Sequence, residues 1–209
     1  METVVYLIRH SEAISKSNLN IIINSDSNQI SNEKAFLSVS GEAKALELSR
    51  HQELQNIDAV YSSTYVRALS TAKYIACENN TIINVDERLN ERKIGMISNM
   101  DVRDFHRLQA KDFDFKLDSG ESINQTKKRI VESLKNILMN ESGNRVVVVS
   151  HSTALTALMS SWCDLGYNYD DQIILTYNDK AVVTGQFTAP MIFKVVFDGM
   201  NVVDISTIE

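Results

Sequence analysis

The sequence predicts an α/β fold: a three-layer α/β/α sandwich built on a mostly parallel central sheet with an antiparallel edge. Two observations predict it. Short runs of β-branched residues alternate with amphipathic helical stretches along most of the chain, the order that builds parallel strands joined by covering helices. The stretch MIFKVVFDGMNVVDIST near the C-terminus breaks that alternation with two period-2 runs joined through Asp198-Gly199, which marks a hairpin added at an edge.

Taken in order, Val4 to Ile8 (VVYLI) is a short apolar run of the kind buried on both faces of a sheet. Residues 15 to 33 are dominated by Ser, Asn and Asp around one apolar island at Ile21 to Ile23, and read as a loop. Gly41 to about Leu54 has helical composition, and IDAVYSS from Ile57 reads as a second strand. In TYVRALSTAKYIACE, the residues Ala68, Leu69, Ala72, Ile75 and Ala76 share one helical face. Ile82 to Val85 reads as a third strand, followed by DERLNERKIG and a polar stretch to residue 120 that holds one irregular helix. Ile123, Ile130, Leu134, Ile137 and Leu138 then form an amphipathic stripe, stopped by Gly143. Arg145 to Val149 is another buried-type strand, and TALTALMSSW after His151 reads as a helix. With no repeat and no low-complexity linker, a single domain over residues 1–209 is expected.

Composition narrows the function. The chain has 209 residues, 44% hydrophobic and 23% charged, as in ordinary globular proteins that bury a sizeable core. A net charge of -6 argues against nucleic acid and anionic membrane as partners, so any bound anion needs a local cluster of cations. Cys77 and Cys163 belong to no C-x-x-C pair; they read as two buried small hydrophobes in a protein of the reducing cytoplasm. The apolar stretch VVYLI is too short for a signal peptide, and no segment reaches the ~20 apolar residues of a membrane helix.

The chemistry is concentrated at two histidines. Of the four in the chain, His10 and His151 each follow a strand-like run and precede a serine, in LIRHSEA and VVSHS. Ligands of open parallel sheets bind outside the carboxyl ends of the strands, so if these two strands are neighbours both imidazoles face one pocket. Helix N-termini at the same ends favour an anion, Arg9 adds a guanidinium matched to phosphate oxygens, and Arg67 in the first turn of its helix adds a second. Such a cluster suits phosphoryl transfer, in which a neutral imidazole can act as the nucleophile. Glu91, in the loop after the third strand, is the candidate acid for the leaving alcohol. Two other readings stay open at this point. His10, His151 and Glu91 resemble a metal-ligand set, although two adjacent arginines would repel the cation. Glu91 beside Arg92 and Lys93 also reads as a surface ion pair. His51 and His106 adjoin no motif and read as ordinary structural histidines.

LIRHSEA, SSTYVRALSTA, LNERKIG and VVSHS, in this order and at these spacings, resemble the histidine phosphatase superfamily, also called phosphoglycerate mutase-like. Gly120 to Ser122 (GES) followed by Arg129 is similar to a further family stretch. The resemblance implies a phosphoglycerate mutase-like fold, with residues from about 92 to 143 forming a helical lid over the pocket. It implies that His10 is transiently phosphorylated, that Arg9, Arg67 and His151 bind the phosphoryl group, and that Glu91 protonates the leaving oxygen and then helps to activate water. No metal or cofactor is implied, and the partner is a small phosphorylated metabolite. The chain departs from the family where Ser11 and Ser152 stand in place of the usual glycines; each serine either donates a hydrogen bond to phosphate or crowds it. Ser15, Lys16 and Ile94 replace the Trp-Asn pair and the Tyr of phosphoglycerate mutases, which favours a phosphatase, with Lys16 and Lys93 available for a second anionic group. A mutase and a catalytically impaired phospho-ligand or protein-binding module remain the alternatives.

Overall fold

Strand β1 (Glu2–Arg9) has no polar side to turn toward water: Val5, Tyr6, Leu7 and Ile8 are all fully buried. It lies inside a six-stranded sheet, described by a computed structural model that covers residues 1–15, 27–97, 100–168, 172–185 and 187–208. The other strands of that sheet are β2 (Ala59–Ser62), β3 (Ile83–Val85), β4 (Arg145–Ser150), β8 (Met191–Asp198) and β9 (Asn201–Ile208), in the spatial order β3-β2-β4-β1-β8-β9. The first four are parallel, and the hairpin β8–β9 is antiparallel and closes the edge. Gly199, at φ +58°, makes the hairpin turn predicted from Asp198-Gly199.

Alternation along the strands splits the core into two layers. On one face Val5, Leu7, Val146 and Val148 pack against Ile130, Leu134, Ile137 and Leu138 of helix α5 (Ile123–Asn140) and Leu155 and Leu158 of helix α6 (Ser152–Met159). On the other, Tyr6, Ile8, Val147 and Val149 meet Ala68, Ala72, Ile75 and Ala76 of helix α3 (Val66–Glu78). Each large aliphatic side chain so buried contributes ~1.5–3 kcal/mol. Helix α2 (Val39–Ser49) lies against α3 and is followed by a 3-10 turn at Gln52–Leu54, where the sequence predicts one continuous helix.

Three features differ from the sequence reading. Helix α1 (Ser27–Lys34) lies in the stretch read as a loop; its weak intrinsic pattern is offset by tertiary hydrogen bonds, including Gln29 Nε2 to the Tyr65 hydroxyl at 3.0 Å. A second antiparallel sheet, β5 (Asp164–Tyr167), β6 (Ile173–Tyr177) and β7 (Lys180–Thr184), occupies a region for which no element is predicted. Asn178 and Asp179, at φ +48° and +61°, form its β6–β7 turn. Cys163 is buried as expected, but Cys77 is exposed on α3. In the 92–143 region, α4 (Val102–Lys111) is a regular helix, while α5 is a core helix, with its apolar stripe against the sheet. No helix among the described residues is long and apolar enough to cross a membrane.

One glycine sets how closely α2 approaches the loop after β1. The Gly41 carbonyl accepts the Ser11 hydroxyl at 2.7 Å, Ser38 caps the helix, and a Cβ on Gly41 would fall 1.9 Å from the Glu12 carbonyl oxygen. Because that neighbour is backbone, α2 or the loop carrying His10 must move to admit a methyl group. Gly41→Ala is therefore expected to cost about 1–3 kcal/mol in denaturant unfolding, whereas an unchanged midpoint would mean that the loop yields freely.

Candidate active site

The parallel register of β1 against β4 pairs Arg9 with Ser150, which places the next residues, His10 and His151, side by side at the carboxyl ends of adjacent strands. Their ring centroids are 5.0 Å apart in an edge-to-face arrangement. Both are buried, with His10 7% exposed and His151 not at all. Arg67, one residue into α3 and 5% exposed, spans the two rings: its Nε donates to His10 Nε2 at 2.9 Å and its terminal nitrogen to His151 Nδ1 at 3.1 Å.

A guanidinium only donates hydrogen bonds, so both of those imidazole nitrogens carry lone pairs. The remaining nitrogens carry the protons. His10 Nδ1–H donates to the Ser11 carbonyl at 2.7 Å, and His151 Nε2–H to the Ser63 hydroxyl at 2.7 Å. Each tautomer is thereby fixed by a specific partner. Burial, reinforced by the charge of Arg67, pushes the His10 pKa down to about 3, and the same causes hold His151 well below its usual value. Both rings are neutral at physiological pH.

Arg9 completes the cationic side. It donates to the backbone carbonyls of Phe187 and Thr188, while its Nε is buried without a hydrogen-bond partner among the described residues. Burial lowers the guanidinium pKa of Arg9 and Arg67, and the charge of Glu91 acts on both in the opposite direction, so the carboxylate shares their electrostatic neighbourhood. Arg67, buried, and Arg9, partly buried, against one carboxylate leave a positive site in a chain of net charge -6.

Glu91 is not in a surface ion pair with its neighbours. Its carboxylate caps α6: Oε1 accepts the N–H groups of Ala154 at 3.0 Å and Arg92 at 2.9 Å, and Oε2 accepts that of Thr153 at 3.2 Å. The helix-terminus donors expected to face an anion are, at α6, engaged by this carboxylate. Arg92 turns inward, stacking over Phe105 and donating to Gln109, and the Lys93 side chain is exposed. The Glu91 loop is held by Arg129, which donates to the carbonyls of Arg88, Asn90 and Glu91 and pairs with both oxygens of Glu121.

The serines that replace glycine play different parts. The Ser11 hydroxyl proton is directed to Gly41, and Ser152 is the partly exposed first residue of α6. Lys16 lies outside the described residues. His51 caps the turn at Gln52–Leu54, as befits a structural histidine. Sequence reasoning passes over Ser63, which orients His151, and Tyr65, whose ring lies 4.9 Å from that of His151, and it singles out the GES stretch and Arg129 without assigning the Arg129–Glu121 clamp they form. The first two stand inside the quoted motif SSTYVRALSTA, where only Arg67 carries an obvious chemical signal.

Comparison with known proteins gives the family and the fold. The family model described as histidine phosphatase superfamily (branch 1) matches residues 5–185. A probable phosphoglycerate mutase of Salmonella arizonae is 27% identical over 165 residues, covering 75% of this chain and 73% of that protein. Among solved structures, a phosphoglycerate mutase from Bacillus anthracis superposes with a TM-score of 0.69 at 15% identity, covering 99% of this chain and 92% of that one. A mycobacterial glucosyl-3-phosphoglycerate phosphatase gives 0.66 at 16% identity, with 99% and 97% covered. At these identities the two structures establish a shared fold.

The buried neutral histidines tie stability to pH. In the unfolded chain each charges below pH ~6.5, whereas in the folded protein each stays neutral far below that. Their contribution is thus complete above pH ~6.5 and lost on acidification, at about 1.4 kcal/mol per pH unit per histidine. Urea unfolding between about pH 6.5 and 4.5 should show the slope reduced by about that amount in His10→Asn. An identical slope would mean that His10 takes up its proton in the native state.

Proposed function

Because the chain belongs to the histidine phosphatase superfamily (branch 1), we propose that it is a metal-independent phosphomonoester hydrolase that acts through a phosphohistidine on His10, with a small phosphorylated metabolite as substrate. The observation that carries this reading is the fixed tautomer of His10, whose Nε2 lone pair sits 2.9 Å from the Arg67 guanidinium. As a dianion enters, Arg67 turns its N–H groups to the phosphoryl oxygens and frees that lone pair. Arg9 and Arg67 supply the positive charge that phosphoryl transfer requires, and His151 adds an imidazole beside them.

In the first half-reaction Nε2 forms the P–N bond as the P–O bond to the alcohol breaks, and the Glu91 carboxyl gives its proton to the leaving oxygen. Oε2, with a single long hydrogen bond, is the oxygen suited to carry that proton; Oε1 already accepts two. In the second, Glu91 takes a proton from water, the water oxygen attacks phosphorus, the P–N bond breaks and inorganic phosphate leaves. Ser11 supports an active site rather than an impaired one, since its hydroxyl is occupied with Gly41. Ser15 and Ile94, in place of the mutase pattern, favour water over a second alcohol as acceptor.

His10→Ala is expected to lower p-nitrophenyl phosphate hydrolysis by about a thousandfold or more. Glu91→Gln should cut hydrolysis of an alkyl phosphate by about 10²–10⁴-fold and that of p-nitrophenyl phosphate far less, because p-nitrophenolate leaves without a proton. Equal losses on both esters would remove Glu91 as the acid. With 3-phosphoglycerate, free phosphate is the expected product, and an isomeric phosphoglycerate would favour the mutase.

A further inference from the structure

Arg67 is held by three rings. Its Nε and one terminal nitrogen donate to His10 and His151, and its Cζ lies over the ring of Tyr65, 5.0 Å from the centroid. The other terminal nitrogen donates to the Asn32 carbonyl. Both imidazoles have parts in the reaction above, and Tyr65 has none. Yet its ring also packs edge-to-face with His151, at 4.9 Å between centroids and 62° between planes. Its backbone N–H donates at 3.3 Å to the Ser63 hydroxyl oxygen, the atom that accepts the His151 proton.

The start of a helix does not call for an aromatic. Tyr65 is the N-cap of α3, a position that favours Ser, Thr, Asp or Asn, and its side chain makes no capping bond among the described residues. It is 1% exposed, and its hydroxyl accepts Gln29 Nε2 of α1 at 3.0 Å. Burial pushes the phenol pKa up to about 12, so it keeps its proton near neutral pH and is neither acid nor base for the ester. What it offers the site is the face of its ring.

A ring face holds a guanidinium differently from a hydrogen bond. Each bond to an imidazole fixes one N–H on one lone pair, whereas attraction to the negative face of a ring holds the charge without specifying where each N–H points. Phosphoryl transfer needs both kinds of hold. Arg67 has to release His10 Nε2 and present its N–H groups to the phosphoryl oxygens while staying in a site where it is 5% exposed.

We propose that Tyr65 is a positioning residue for phosphoryl transfer, and that its ring face is the support on which Arg67 turns from His10 to the phosphoryl group. The inference rests on the hydrolase reading above.

The test changes the charge on the ring face and keeps the ring. In the full chain Tyr65→Phe is the reference, and 4-fluoro-, 3,5-difluoro- and 3,4,5-trifluorophenylalanine placed at position 65 drain the face in steps. Tyr65→Phe should keep kcat/KM for p-nitrophenyl phosphate within about twofold, since the hydroxyl has no part in the chemistry. Along the fluorinated series kcat/KM should fall stepwise by about tenfold in all. Affinity for orthovanadate, which takes up the five-coordinate geometry of the transferring phosphorus, should fall with it. Rings of nearly one shape give a purely packing role no reason to follow that order. A series flat in either quantity, or a loss of about tenfold or more already in Tyr65→Phe, would overturn this inference and leave the hydrolase reading standing. No release of phosphate from the ester by the unaltered protein would overturn the hydrolase reading and this inference with it.

Discussion

The pairing of Arg9 with Ser150 across β1 and β4 is the constraint on which the rest depends. It leaves His10 and His151 as neighbours at the point where both strands end, with 5.0 Å between the rings. A slip of one residue in this parallel register would turn the valines of β4 to the wrong face and separate the imidazoles at the same stroke. Core packing and site geometry are therefore one specification: the alternation that divides Val146 and Val148 from Val147 and Val149 also sets where His151 emerges.

Placing Arg67 between the rings has an electrostatic cost. A buried guanidinium next to two imidazoles and within reach of Arg9 is tolerable only if the imidazoles stay neutral and a carboxylate lies near, and the site provides both. Burial, with this positive field behind it, keeps the histidines unprotonated, and the field itself suits an anion. Its source is local, for the chain as a whole is acidic. Glu91 balances this field while its own position is imposed from two sides, by the N-terminus of α6 and by Arg129.

Much of this was legible in the sequence. β-Branched runs ending in His-Ser, and the 3.6-residue stripes of α3 and α5, carry their own periodicity, and Arg9, Arg67, His10 and His151 have side chains whose chemistry announces an anion site. What was not legible depended on contacts without a local signal. Helix α1 is polar and gains its definition from Tyr65 and from Arg67, which donates to the Asn32 carbonyl. The β5–β7 sheet is made of strands of four and five residues, too short for a period-2 pattern to stand out, with only Asn178-Asp179 as a turn signal. Glu91 could be read as an acid or as a surface ion pair until the capping of α6 decided where its carboxylate goes. The serine at position 11 was ambiguous because its partner, Gly41, is thirty residues away.

The claim that organises the account is that phosphorus becomes bonded to His10 Nε2 during turnover. The most direct measurement is rapid acid-free quenching of the protein during steady hydrolysis of a ³²P-labelled aryl phosphate, followed by peptide mapping. The account predicts acid-labile, base-stable label on the peptide containing His10 in the native protein. Turnover that proceeds with no protein-bound label at any time, or label on a residue other than His10, would contradict it.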